Sequence, residues 1–133
     1  MAKVALGLIV LRASDLQHTL AFYALLGLDF VPEKHGNGPT HYACTLTESG
    51  QAPTSGLVIE IYLGQAGVAP TPKTAGATML GFQVASLDQT LAQLTNFGAV
   101  LLSPLHSTTN YGCRAVVQDP DGRAIELTEF GST

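Results

Sequence analysis

The chain has 133 residues, 46% of them hydrophobic, and a formal net charge of −4. This length suits one domain, 1–133, with a substantial buried core. Six lysines and arginines are too few for a surface that binds nucleic-acid phosphates. The first apolar run, 4–11, is far shorter than the roughly 20 residues that span a bilayer. Two cysteines without metal-binding or disulfide-rich spacing favour a reducing, cytoplasmic setting. We therefore expect no nucleic-acid or membrane partner.

An internal repeat runs along the chain. Residues 16–21 match residues 87–92 at four of six positions, an offset of 71 residues (16 to 87). The offset shrinks to 69 (42 to 111) and then 66 (60 to 126) for two further matched pairs: Tyr42 with Tyr111, and Glu60 with Glu126. A duplication whose second copy has shorter loops leaves this pattern, so we predict two equivalent half-domains.

Each half is predicted to form a strand, a helix and three strands. In the first half, Ser14 or Asp15 caps the helix and Gly27 ends it. The expected elements of this half are a strand at 4–11, a helix at about 15–26, and strands at 28–32, 41–46 and 57–63. Turn-forming residues lie at 36–39 and 49–55.

A segment rich in glycine, proline, alanine and threonine, 65–76, is predicted to link the halves. Ser86 is expected to cap the second helix. The expected elements of the second half are a strand at 78–85, a helix at 87–97, and strands near 99–103, 111–118 and 123–129. The predicted fold class is α+β, with two tandem βαβββ modules at about 4–64 and 78–130.

The last hairpin carries the clearest local signal. Asp119-Pro-Asp-Gly122 predicts a tight turn, because proline fixes φ and glycine adopts positive φ without steric cost. In the following strand, Ile125 and Leu127 point to one face, and Glu126 points to the other. We therefore expect a carboxylate on the face opposite the core.

Three motifs resemble those of the vicinal oxygen chelate superfamily, which includes glyoxalase I, bleomycin-resistance proteins and extradiol dioxygenases. They are Leu-Arg-Ala-Ser-Asp-Leu at 11–16, Ala-Phe-Tyr-Ala-Leu-Leu-Gly-Leu at 21–28, and Asp-Pro-Asp-Gly-Arg-Ala-Ile-Glu at 119–126. The resemblance implies that the paired modules form an open, half-barrel mixed sheet, with helices outside and the ligand site in the cleft. It does not specify an activity, because this fold hosts lyases, isomerases, dioxygenases and binding proteins.

The resemblance also implies where a metal would bind. Metal-dependent members usually hold a divalent ion with a histidine on the first strand and a glutamate on the last strand of each module. Glu60 and Glu126 match the glutamate positions, whereas Leu8 and Met79 occupy the histidine positions. Leucine has no ligand atom, and the methionine thioether is a soft ligand. We therefore expect no metal and no other cofactor.

The four histidines are not equally good candidates for a ligand-binding role. His41 could face the cleft, although Asn110 replaces it in the repeat. For the other three (His18, His35 and His106), solvated or hydrogen-bonded roles are favoured over ligation. Tyr111 is a candidate pocket wall, and Arg114 a candidate partner for a glutamate. The candidate ligand-binding residues are Leu8, His41, Glu60, Met79, Tyr111, Arg114 and Glu126.

Two functions follow from these expectations. The first is metal-independent binding or sequestration of an apolar or cationic small molecule in the inter-module cleft. The alternative is a glyoxalase-like lyase or isomerase, in which Glu60 and Glu126 act as general base or as partial metal ligands completed by His41 and water. The glutamates would face each other, pair with Arg114 or Arg123, or remain as relics of a lost metal site. A homodimer is expected, because open sheets leave apolar surface to cover.

Overall fold

A computed structural model describes residues 4–46, 56–108 and 112–131, with the backbone alone for 104–108 and 112. The strands are β1 (Leu8–Ala13), β2 (Val31–Glu33), β3 (His41–Leu46), β4 (Leu57–Leu63), β5 (Leu80–Val84), β6 (Leu101–Thr108), β7 (Gly112–Gln118) and β8 (Ala124–Glu129). The helices are α1 (Leu16–Ala24) and α2 (Leu87–Phe97). Neither described helix is long and apolar enough to cross a membrane.

The strands form two four-stranded mixed sheets, in the orders β1-β4-β3-β2 and β5-β8-β7-β6. In each module the first strand pairs in parallel with the last strand in sequence, β1 with β4 and β5 with β8, and the other neighbouring strands are antiparallel. The chain therefore passes through βαβββ twice, which confirms the predicted α+β fold. β1, which follows the N-terminal segment, is an edge strand of the first sheet. β5, which follows the linker, is an edge strand of the second sheet.

Several predicted strand bounds were wrong: β5 covers Leu80–Val84 rather than 78–85, and β1, β2 and β6 differ more. β1 begins at Leu8 rather than residue 4, because its ladder partner in β4 begins at Val58. β2 covers only Val31–Glu33, the stretch that pairs with β3. β6 continues to Thr108 rather than ending near residue 103, so the strand includes His106. Two register shifts near Pro104 absorb the irregularity of a residue that has no N–H for the ladder.

The helix caps follow the sequence signals. The side chain of Asp15 accepts a hydrogen bond from the backbone N–H of His18, and Ser86 caps α2 in the same way. Gly98 ends α2 in the left-handed conformation, at φ 99°. α1 ends earlier than predicted, at Ala24, and Gly27 follows the final turn with φ 98°.

Each sheet presents one face to the helices and an opposite, open face. Side chains of alternating strand residues fill the core, including Ile59 and Ile61 of β4 and the fully buried Ile125 and Leu127 of β8. The two helices also touch each other: the ring of Phe97 stacks on His18 at 4.7 Å. The residues between the core positions on β4 and β8, among them the two glutamates, therefore lie on the open faces.

A buried carboxylate joins the two modules. The Oδ2 atom of Asp119 accepts hydrogen bonds of 2.6 Å from the hydroxyl of Tyr23, in α1, and from Nη1 of Arg123. Its Oδ1 atom accepts from the backbone N–H groups of Asp121 and Arg123. The side chain of Asp119 is fully buried, so these donors replace the water that a charged group otherwise requires.

Two further contacts hold the same turn against the first module. Ser14 donates its hydroxyl to Asp121 Oδ1 at 2.6 Å, and its backbone N–H points to the same carboxylate. The guanidinium of Arg123 donates to the backbone carbonyl of Arg12. The tight turn is confirmed by Gly122, at φ 96°, whose N–H donates to the carbonyl of Asp119. The β7–β8 turn is thus fixed where β1 leads into α1.

The Tyr23 hydroxyl provides a test of this junction. Burial, and then the charge of Asp119, raise the pKa of Tyr23 well above its ordinary value of about 10. We expect Tyr23→Phe to lower the free energy of unfolding by about 1.5–3 kcal/mol at pH 7, through the lost hydrogen bond to a charged group. In the wild type, this pKa difference stabilises the fold fully below about pH 10 and progressively less as pH rises above it.

Urea denaturation between pH 7 and 11.5 measures both effects. Tyr42→Phe is the matched control, because the Tyr42 hydroxyl has only a long, exposed contact of 3.5 Å with Gln17. The Tyr23→Phe protein should show a shallower loss of stability above pH 10 than the wild type and the control. Equal stability and equal alkaline slopes in all three proteins would contradict the role given to Tyr23.

Candidate functional site

A groove of about 310 Å³ lies between β1 and β5, the facing edge strands of the two sheets. Apolar residues dominate its lining, which also includes Arg123. The lining includes Ile9, Val10, Pro70, Pro72, Met79 and Leu80. A volume of this size is at the lower end of the range for small-molecule sites. The groove can hold the apolar part of a small organic molecule.

On each side of the groove, a glutamate lies on the strand next to the edge strand: Glu60 on β4, beside β1, and Glu126 on β8, beside β5. Val10 of β1 is the ladder partner of Glu60, and Gly81 of β5 is the ladder partner of Glu126. Val10 and Gly81 are themselves separated by the repeat offset of 71 residues (10 to 81). The two glutamates therefore lie on the strands next to β1 and β5 and are not themselves among the residues that line the groove. The duplication has thus placed equivalent carboxylates on equivalent strands.

Each glutamate has a partner in its own sheet. Glu60 Oε2 lies 3.3 Å from His41 Nε2, and Glu126 Oε1 lies 2.5 Å from Arg114 Nη2. The pairing of a glutamate with Arg114 was one predicted alternative, and the structure contains it. Arg123, the other predicted partner, binds Asp119 instead. A ligand that reached either carboxylate would therefore meet a group already oriented by a neighbour.

The remaining predicted residues are distributed around this region. Leu8 lies on the open face of the first sheet, beside Val58, and is 51% exposed. Met79 precedes β5, lines the groove and is 47% exposed. Tyr111 and Asn110 lie outside the described residues. Two pairs of the predicted ligand-binding side chains that the structure describes contact each other: Glu60 with His41, and Glu126 with Arg114.

The profile of the Glyoxalase/Bleomycin resistance protein/Dioxygenase superfamily matches residues 5–127. The chain belongs to this superfamily. The match spans both modules, and it agrees with the resemblance found in the three sequence motifs. No curated protein matches the chain.

Solved structures of superfamily proteins share the fold. A glyoxylase/bleomycin resistance protein/dioxygenase domain from Frankia sp. EAN1pec is 22% identical, with a TM-score of 0.67 and coverage of 95% of this chain and 97% of that one. A glyoxalase family protein from Enterococcus faecalis is 25% identical, with a TM-score of 0.65 and coverage of 94% and 96%. A glyoxalase-related enzyme from Fulvimarina pelagi is 24% identical, with a TM-score of 0.64 and coverage of 94% and 87%. The similarity therefore extends through the whole two-module fold.

The usual metal position of the superfamily does not fit an ion in this chain. The resemblance assigns Leu8 and Met79 to the two histidine positions, where leucine has no ligand atom and methionine offers only a thioether. Glu126 is already paired with the Arg114 guanidinium, which competes with a cation for the carboxylate. Of the four usual positions, only Glu60 then offers a carboxylate that no arginine occupies, which is fewer than the three or four protein ligands of a zinc site.

Two residues near Glu60 were missed by the sequence reasoning. Glu33 Oε1 lies 3.1 Å from His41 Nε2 and 3.4 Å from His35 Nε2. The signal was present in the spacing: Glu33 and His35 are two residues apart, and the Gly-Asn-Gly-Pro turn that follows returns the chain to His41. Glu33 and His41 are ladder partners and therefore share a face of the sheet, whereas His35 lies beyond the end of β2. The structure shows that this face is also the face of Glu60.

The cysteines are free and show no catalytic environment. Cys44 is buried in the core, where burial raises the pKa of its thiol, and Cys113 is half-buried. A raised pKa keeps a thiol protonated and therefore poorly nucleophilic.

Tyr62 supplies a wall on the open face, where its ring stacks on His41 at 4.3 Å and lies under Arg12.

Proposed function

We propose that this protein binds or sequesters a small organic molecule, without a metal at the usual position of the superfamily. The observation that carries the proposal is an apolar groove between two edge strands, each of which is paired with a strand that carries a glutamate. The ligand class is a molecule with an apolar body and a cationic or hydroxyl group. The apolar body would fill the groove along Val10 and Met79, and the polar group would reach Glu60, or Glu126 through its Oε2 atom, since Arg114 contacts Oε1.

The two parts of the site would contribute differently to binding. Removing about 100 Å² of apolar surface from water contributes about 2.5 kcal/mol, whatever the ligand's polar group. A hydrogen bond from an ammonium group to a carboxylate adds about 1.5–3 kcal/mol and requires correct placement of the charge. The groove would therefore provide affinity, and the glutamates would provide selectivity.

Two fluorescent probes test whether the groove provides affinity and the glutamates provide selectivity. Dansylcadaverine carries a primary ammonium group, whereas dansylamide has the same aromatic body without a charge. We expect dansylcadaverine to bind about tenfold more tightly, in the presence of EDTA, because only its ammonium group can use a glutamate. Fluorescence titration measures both affinities.

Variants separate the groove from the carboxylates. Met79→Lys should weaken both probes, because it places a charge in the apolar groove, and Val68→Lys is the matched control at a residue that is 98% exposed. The double variant Glu60→Gln, Glu126→Gln should abolish the preference for the ammonium probe while dansylamide binding is retained. Equal binding of both probes to the wild type would refute the ligand class.

A second function is favoured by the contact between His41 and Glu60. A carboxylate beside an imidazole can accept a proton from a carbon acid and exchange it with the ring. The same groove would then serve a glyoxalase-like lyase or isomerase with Glu60 as general base. Enzyme activity that Glu60→Gln abolishes while probe binding persists would favour this function over simple binding.

We also propose that the protein is a homodimer. Outside the groove, the open face of the first sheet exposes apolar side chains that a soluble monomer usually covers: Leu8 (51% exposed) and Val31 (57%). Sedimentation equilibrium at micromolar concentration should give about twice the chain mass of 13.9 kDa. Leu8→Lys should weaken the dimer and Val68→Lys should not. A single species of the chain mass across this range would exclude the dimer.

A further inference from the structure

Four potential metal ligands converge where β2, β3 and β4 lie side by side. They are the carboxylates of Glu33 and Glu60 and the imidazoles of His35 and His41, and one ligand atom from each lies within 4.8 Å of all the others. Of these four residues, Glu60 alone corresponds to a position that the superfamily resemblance assigns to an ion. The cluster is therefore a different donor set, built within the first module.

The distances within the cluster suit a common ion. The separations are 3.1 Å for His41 to Glu33, 3.3 Å for His41 to Glu60 and 3.4 Å for His35 to Glu33. Ligands that bind one ion at about 2.0–2.1 Å are separated by about 3.0 Å in octahedral geometry and 3.4 Å in tetrahedral geometry. Small side-chain movements would bring all four atoms to bonding distance.

The imidazole nitrogens of the cluster have fewer hydrogens to donate than the carboxylate oxygens around them can accept. The His41 Nε2 atom carries at most one hydrogen, yet it faces carboxylate oxygens of both Glu33 and Glu60. With neutral imidazoles, the two carboxylates leave two negative charges around a histidine that is only 1% exposed. A divalent cation would neutralise both charges and satisfy all four ligand atoms.

The inner part of the cluster is buried, and its outer part is accessible. The ring of His41 is held parallel to Tyr62, at 4.3 Å between centroids, and the side chain of Glu60 is only 16% exposed. The side chain of His35 is 73% exposed, at the solvent side of the cluster. An ion can therefore enter past His35 and meet a buried, preformed imidazole and carboxylate.

We propose that Glu33, His35, His41 and Glu60 form a binding site for a divalent transition-metal ion of the Zn²⁺ class. Two imidazoles favour such ions over Mg²⁺ and Ca²⁺, which prefer all-oxygen ligands. The site does not require the groove or an organic ligand. It also does not restore the usual metal position of the superfamily, because Leu8, Met79 and Glu126 contribute no ligand.

Titration with Co²⁺ and Zn²⁺ tests the site without reference to any activity. We expect one Co²⁺ per chain, with a visible absorption band of a nitrogen- and oxygen-ligated ion, and displacement of that band by Zn²⁺. His35→Ala should weaken Zn²⁺ binding about tenfold or more, because removing even a residue that supports a ligand has effects of that size. Glu33→Gln should act in the same direction. The matched control is His18→Ala, at an exposed helix histidine outside the cluster.

Two results would overturn the metal site. One is the absence of a Co²⁺ band and of Zn²⁺ binding in the wild type. The other is metal binding that His35→Ala and Glu33→Gln leave unchanged, since the ion would then lie elsewhere. Both variants alter partly or largely exposed side chains, so folding is expected to survive. Because the dansyl probes are titrated in EDTA, failure of the metal site leaves the proposed ligand binding intact, and the converse also holds.

Discussion

The buried carboxylate of Asp119 is the interaction on which the relation of the two modules depends. It accepts a hydrogen bond from Tyr23 of α1 while it organises the β7–β8 turn through two backbone N–H groups and Arg123. An unpaired charge at this depth would cost several kcal/mol, so the turn and the helix must remain together for the fold to be stable. Arg123 and Ala124, which follow the turn, also line the groove. The geometry of the groove is therefore tied to the junction of the modules.

The duplication explains why the groove has carboxylates on both sides. In each module the glutamate lies on the last strand, which pairs in parallel with the first, and its side chain points away from the helix. The two copies have since diverged in their surroundings. Glu60 adjoins a buried histidine, whereas Glu126 is paired with an arginine and lies opposite a glycine that leaves it uncovered. The equivalent positions thus differ in charge environment, which would let one ligand bind in a single orientation.

Local patterns predicted most of the fold, and contacts between distant residues escaped prediction. The bounds of β3, β4 and α2 were predicted correctly, because period-two and helical patterns lie within each segment. The start of β1 depends on a ladder partner 50 residues along the chain (8 to 58), and the extent of β6 depends on the register shifts near Pro104. In the site, the repeat identified Glu60 and Glu126, and Arg114 was one of several possible partners. The Glu33–His35 pair was missed, since its proximity to Glu60 depends on the pairing of three strands. The bond from Tyr23 to Asp119 spans 96 residues and had no local signal.

The central claim is that the groove between β1 and β5 receives the apolar part of a ligand whose cationic group reaches a flanking carboxylate. A crystal structure of the protein with dansylcadaverine would test this claim most directly. The predicted result is a dansyl group against Val10 and Met79, with the ammonium nitrogen within about 3.2 Å of an oxygen of Glu60 or Glu126. A fully ordered dansylcadaverine molecule bound elsewhere, with the groove empty, would contradict the claim.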